Sequence, residues 1–494
     1  MEQVSVTTSP YAEVHETHTG VVVLVADKAY KAKKPVATDF LDFSTAGRRE
    51  QACAREVLLN SRLAPQAYLG VAHFNDPAGG AAEPVVVMRR YPDSSRLATL
   101  AKKGGTVQDE LRHIAEVLAR FHARAQRTRA VDSQAEPGAI TARWHENLVE
   151  LARFTEIALP AEMIHHVGTA ATNYIAGRSA LFARRISDKR IVDGHGDLLA
   201  DDIFCAPDGP LLLDCLEFDD HLRYVDGIDD AAFLAMDLEF LGRKDLADYF
   251  FDTYCEFADD EAPASLKHFY IAYRAVVRAK VDCVRFTQGD PEASANASRH
   301  LSLALEHLNA GAVRLAMIGG APGTGKTTLA RALADRVGAE VISTDDVRRE
   351  LKQSGTIDGE AGVLDVGLYI PEKVAAVYRD VIRRALKSLA GGRSVILDGT
   401  WRDPRQRRPA EELAAQMASP LLEIVCWTSV ETAVKRVNRR GPNASDATPL
   451  IARELILRDD VWDTAHLIDT AQALPDCVDQ AEKLWHNTGS ALNY

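Results

Sequence analysis

The chain has 494 residues, 46% of them apolar and 26% charged, too long for one core and of ordinary globular balance, so two or three domains are expected. Its 58 Lys and Arg against 71 Asp and Glu leave a formal charge of −13, which argues against a dedicated nucleic-acid binder, since phosphate contacts need clustered cations. Seven scattered cysteines without a C-x-x-C pair, a polar acidic N-terminus and no long apolar run give the expectation of a soluble cytoplasmic protein with reduced thiols and no membrane partner.

In chain order, residues 21–34, "VVVLVADKAYKAKK", read as a β-hairpin turning at Ala26-Asp27-Lys28. A helical pattern over 46–63 follows, then a strand pair flanking the Gly- and Pro-rich "NDPAGGAAEP". These make a small lobe over 1–91. From Thr106 to about His307 the pattern is chiefly helical, broken by an irregular stretch at 193–226. "TQGDPEASANAS" (287–298) is rich in breakers, and an amphipathic helix over 299–309 precedes Gly311. A helical lobe is therefore assigned to 92–310. Beyond it "VRLAMIGG", "AEVIST", "RSVILDG" and "LLEIVCW" alternate with helices, one of them over 371–389 and more after the last strand. That pattern predicts a parallel sheet covered on both faces, over 311–494.

The strongest motif is "GAPGTGKTT", Gly320, Ala321, Pro322, Gly323, Thr324, Gly325, Lys326, Thr327 and Thr328. It fits G-x-x-x-x-G-K-[ST] between a strand and a helix, where curled backbone N–H groups and the helix N-terminus cradle phosphates. Lys326 is expected to neutralise phosphate charge during catalysis and Thr327 to ligate Mg²⁺. Asp398, ending "SVILD", suits a second metal carboxylate, with a plain strand-end cap as the alternative. In "STDDVRREL", Asp345 suits an acceptor of a hydroxyl proton and Arg348 an orienting cation for substrate; a helix cap and a surface arginine are equally compatible. Arg436 and Arg440, in "VETAVKRVNRRGPNASDATP", lie where a closing lid would bring guanidinium charge to the transition state. These features resemble the small P-loop kinase group that includes gluconate kinase, polynucleotide kinase and zeta-toxin-like phosphotransferases.

The first half carries "HGDLLADDIF" at 195–204. A kinase catalytic loop wants an Asp for the acceptor hydroxyl and, five residues on, an Asn for a metal; the chain has Asp197 and then Asp202. After the turn "CAPDGP", "LLLD" ends in Asp214, the second metal-gripping carboxylate of that layout. Asp202 still offers a hard oxygen, so a strongly Mg²⁺-dependent site is expected. Lys31 is preferred as the phosphate lysine because the residue two before it is small, with Lys33 in reserve, and Glu56 is its ion-pair partner. Met88, in "PVVVMRRY", falls at the adenine hinge. Glu217, with Asp219 and Asp220, is a candidate for attracting a cationic substrate, a solvated loop being the alternative.

This half resembles the aminoglycoside phosphotransferase and choline kinase-like family, which shares the protein-kinase fold, although "HTGVVVLVAD" lacks the G-x-G-x-x-G of protein kinases. Bacterial proteins that fuse such a domain to an ATP-binding kinase domain form a family with this layout. The resemblance implies an α+β protein-kinase-like bilobal domain followed by an α/β P-loop NTPase domain. It implies a bifunctional ATP-dependent, Mg²⁺-dependent phosphotransferase acting on small hydroxyl acceptors. A nucleotide-gated switch with ATPase activity alone and a protein kinase are the competing readings; no A-P-E motif follows Asp214.

Overall fold

The computed structural model describes residues 12–16, 20–37, 42–75, 79–155, 158–359, 366–439, 449–457 and 462–489. They fall into two compact units. The first contains β1 (Ala12–Glu16), β2 (Gly20–Val25), β3 (Lys28–Lys33), β4 (Tyr68–Phe74) and β5 (Glu83–Arg89). These form one antiparallel sheet in the order β1-β2-β3-β5-β4. The pleat sets Ala29, Lys31 and Lys33 on one face of β3. Helix Ala46–Asn60, capped by the Thr45 hydroxyl, lays Cys53 against Tyr68, Val86, Phe204 and Leu213.

The irregular stretch resolves into four short strands: β6 (Ile191–Asp193), β7 (Ile203–Ala206), β8 (Gly209–Leu212) and β9 (Tyr224–Asp226). β6 pairs with β9, and β7 with β8 across the expected hairpin turn. Helix Gly227–Phe240 follows, buried along nearly its whole length. The first unit has the α+β protein-kinase-like architecture.

The second unit contains β10 (Leu315–Gly319), β11 (Glu340–Ser343), β12 (Val395–Asp398), β13 (Leu421–Trp427) and β14 (His466–Asp469), all parallel in the order β11-β12-β10-β13-β14. Ala316, Ile318, Leu329, Ile396, Ile424 and Trp485 share its core. Burial on both faces explains why these strands read as unbroken apolar runs. This is the α/β P-loop NTPase fold.

Three expectations need correction. β14 lies in a region read as helix, since "HLID" is too short to carry a period. Helix Ala293–Ala310 begins well before 299, because its small residues Ala293 and Ala297 are buried. The compact units do not part at 310/311, for residues 140–184, 263–272 and 280–310 group with the P-loop sheet. Arg178, 1% exposed, shows why: its guanidinium donates to Met417 O at 3.0 Å and Ser419 Oγ at 3.1 Å. Among the described residues no helix is long and apolar enough to cross a membrane.

Candidate active sites

In the first unit, β3 and helix Ala46–Asn60 bring Lys31, Lys33 and the fully buried Glu56 together. Lys31 Nζ lies 3.0 Å from Glu56 Oε1 and also pairs with Asp214. Lys33 Nζ lies 2.6 Å from Glu56 Oε2 and also pairs with Glu217. Carboxylates and ammonium groups thus alternate from Asp214 to Glu217. Burial works against charge on Lys31, yet Asp214 and Glu56 hold its pKa well above the usual lysine range. Glu217, a candidate for attracting a cationic substrate, pairs with Lys33, and Asp220 with Arg55 and Arg223. Two of the three acids are thus tied in ion pairs, while Asp219 accepts the His221 N–H as the cap of the short turn that follows.

Asp214 adopts φ 62, a left-handed backbone conformation that non-glycine residues take at a cost. Its N–H donates to Tyr68 Oη at 3.1 Å, and the next N–H, of Cys215, donates to Asn60 Oδ1 at 2.8 Å. Burial would raise the Asp214 carboxyl, but Lys31 holds it below the ordinary value.

The candidate catalytic loop, 195–204, is braced from beneath by the buried Asp230, which accepts the N–H groups of His195 and Gly196 at 2.7 and 2.8 Å. His122 Nε2 meets the same carboxylate at 2.9 Å. His195 Nδ1 accepts the Asp197 N–H, so its Nε2–H donates to Leu213 O at 3.0 Å. That is the neutral imidazole, which burial favours by pushing its pKa down. The Leu213 N–H returns a bond to Asp202 O at 3.0 Å, locking the loop to the strand before Asp214.

Burial pushes Asp197 up to about 6; Arg278 and Arg274 oppose the rise, while Asp214 adds to it. Asp202 lies well above the usual carboxylate range, through burial and then through Asp214 and Asp197. A carboxylate held protonated by its neighbours is one that a divalent cation can ionise. Met88 stands in register with Ala29 on β3 and Tyr68 on β4. Tyr68, Asn60 and Asp230 carried no motif; the available signal for Asp230 was an acid pair opening the otherwise apolar "AAFLAM".

In the second unit the P-loop joins β10 to helix Lys326–Val337, with Gly320, Gly323 and Gly325 at φ 139, 87 and 88. A Cβ on Gly323 would stand 2.5 Å from Ala433 O, and one on Gly325 3.5 Å from Arg436 Nη1. Arg436 is therefore at the loop, held by Thr470 Oγ1 at 3.1 Å and Thr470 O at 2.7 Å. Arg440 lies outside the described residues. Thr324 Oγ1 donates to Ala321 O at 2.8 Å, Pro322 and Lys326 are buried, and Thr328 is exposed.

β12 runs beside β10 with Asp398 opposite Ile318. Burial raises the Asp398 carboxyl, against Lys326 and hydrogen bonds from Thr327 and Ser343. Its Oδ1 is buried without a hydrogen-bond partner. Such an oxygen beside Thr327 fits Mg²⁺. Among the described residues no three acid, His or Cys side chains could hold a metal alone. Mg²⁺ needs no such cage, taking one or two carboxylates and completing its shell from phosphates and water.

Asp345 opens helix Thr344–Gln353 and accepts from Arg348 Nη1 at 2.6 Å, while the Arg348 guanidinium lies 5.0 Å from the Tyr369 ring centre. A cavity of about 220 Å³ opens beside Gly320 and Thr324, walled by Trp401, Arg407, Trp427 and Trp462. Trp401, fully buried at φ 51, was not foreseen.

An uncharacterized protein of Mycobacterium tuberculosis is 57% identical over 482 residues, spanning 98% of this chain and 97% of that protein. The chain belongs to this family. Within the family's shared length, residues 315–456 match an AAA domain family model. An adenylate kinase of Phocaeicola vulgatus is 30% identical over 162 residues, 31% of this chain and 82% of that enzyme. The second half is thus a P-loop kinase domain, and the chain is an ATP-dependent kinase. The crystal structure of a choline/ethanolamine kinase family protein from Mesorhizobium loti overlaps 62% of this chain and 91% of its own at 15% identity, with a TM-score of 0.38.

Proposed function

We propose that the chain is a bifunctional ATP-dependent phosphotransferase, each half transferring a γ-phosphoryl group to a small hydroxyl acceptor. For the first half the reading is carried by one observation: Lys31 joins Glu56 and Asp214 while Asp197 and Asp202 lie on the adjoining loop. Four separate segments supply the parts of a kinase site. Asp197 takes the acceptor hydroxyl proton as that oxygen bonds to the γ-phosphorus and the bond to the β-phosphate oxygen breaks, releasing ADP. Lys31 neutralises phosphate charge and is itself oriented by Glu56.

In the second half the P-loop N–H groups and Lys326 hold the phosphates, Asp345 receives the acceptor proton, and Arg348 orients the acceptor. Arg436 and Arg440 supply guanidinium charge to the transferring group. Mg²⁺ would be held by Asp202 and Asp214 in one half and by Thr327 and Asp398 in the other, neutralising the phosphate oxygens.

The test is nucleotide stoichiometry, by equilibrium dialysis with a non-hydrolysable ATP analogue and Mg²⁺. Two molecules should bind per chain, with Lys31→Met and Lys326→Ala each removing one. A single site lost only with Lys326→Ala would overturn the bifunctional reading.

A further inference from the structure

Glu217 and Asp220 are taken by Lys33 and by Arg55 and Arg223, and Asp219 caps the short turn that follows by accepting the His221 N–H, so the acids of that run are engaged locally. The side chains that flank Asp197 from helix Ala264–Thr287 are positive. Arg274 and Arg278 stand four residues apart, on one face of the helix. Arg274 is 4% exposed; its Nε donates to Asp229 Oδ1 at 2.7 Å and its Nη1 to Gly196 O at 3.2 Å, the residue before Asp197. Its Nη2 is buried with no hydrogen-bond partner.

One turn further along, Arg278 is half-buried and makes no ion pair with any described residue. Of the charges acting on Asp197, that of Arg278 is the strongest. A half-buried guanidinium whose N–H groups no carboxylate takes in an ion pair keeps its donors available to a ligand. Arg also presents a planar fork suited to carboxylate and phosphate.

We propose that Arg278, backed by Arg274, recognises an oxyanion on the acceptor of the first half, so that the hydroxyl compound phosphorylated there carries a carboxylate or phosphate group. The inference rests on the kinase reading of that half and deepens it.

The test uses full-length Lys326→Ala protein, which silences the P-loop half. Mg²⁺-dependent ADP release is measured with matched acceptors: glucose, glucuronate, glucose 6-phosphate and glucosamine, and glycerol, glycerate, glycerol 3-phosphate and 2-amino-1,3-propanediol. Acid-bearing members should exceed their neutral and amino counterparts by at least about tenfold in kcat/KM, the scale of one charge-assisted hydrogen bond. Arg278→Met should erase that advantage through the acceptor KM, and Arg278→Lys should restore part of it. The carboxylate and phosphate members separate the two oxyanions.

A preference for the amino members would overturn the proposal. So would a loss that falls on the KM for ATP, because the arginine would then serve the nucleotide. In parallel, inorganic phosphate is titrated into the same protein loaded with Mg²⁺ and a non-hydrolysable ATP analogue. Binding weakened about tenfold by Arg278→Met supports the anion site even if no acceptor turns over. Absence of Asp197-dependent turnover would then count against the kinase reading alone, whereas equal phosphate binding by both proteins would sink the anion site.

Discussion

On the proposed mechanism, Asp197 is the proton acceptor of the first half. Burial sets its carboxyl at about 6, with Arg278 opposing the rise. As a proton acceptor it must be ionised, so activity is lost as pH falls through that value. In Lys326→Ala protein, kcat/KM should fall about tenfold per pH unit below about 6 and level off above it. Asp197→Asn should lower turnover by roughly 10²–10⁴-fold and abolish this limb; an unchanged limb would assign the titration to another group. Gly323 gives the matching prediction in the second half. At φ 87, with Ala433 O 2.5 Å from a Cβ, Gly323→Ala should cost about 1–3 kcal/mol in strain and displace the loop. Chemical denaturation and analogue binding would detect both, and an unaltered Kd would show that the cradle tolerates a side chain.

Among elements, β3 and helix Ala46–Asn60 are fastened by an ion-pair chain rather than by apolar packing alone. Lys33, 5% exposed, has both Glu56 and Glu217 as partners. Breaking a buried pair from one side strands a charge, so Lys33→Met should destabilise the first unit by about 3–5 kcal/mol. Adding Glu217→Gln should recover part of that loss, giving a positive coupling in a double-mutant cycle measured by denaturant unfolding. Strict additivity would mean that the pair does not act as a unit.

The P-loop could be read because glycines at φ 139, 87 and 88 followed by Lys326 are a local requirement, complete within nine letters. Asp197, Asp202 and Asp214 could be read because loop and hairpin are contiguous. Asp230 and Tyr68 could not, since each acts on a backbone N–H far away in sequence. Lys31 and Lys33 share a face, and only the third dimension gave Asp214 to one and Glu217 to the other. Arg274 and Arg278 likewise gained meaning only from the helix face they share beside Gly196 and Asp197.

For the whole molecule, two different folds lie on one chain, and the sequence shared with the family spans 98% of this chain. The change of fold was visible in the switch from mostly helical patterning to alternating strands and helices. The grouping of residues 140–184 with the second unit was not, because buried contacts such as Arg178 to Met417 leave no period in the sequence. Both halves are proposed to transfer phosphate. The most direct measurement is Mg²⁺-dependent ADP release over a panel of hydroxyl compounds, on the unmodified chain, Asp197→Asn and Lys326→Ala. Two acceptor-stimulated activities are predicted, one lost only with Asp197→Asn and the other only with Lys326→Ala. A basal rate that no acceptor raises, and that Lys326→Ala alone removes, would rule out two kinases and leave a nucleotide-gated ATPase in their place.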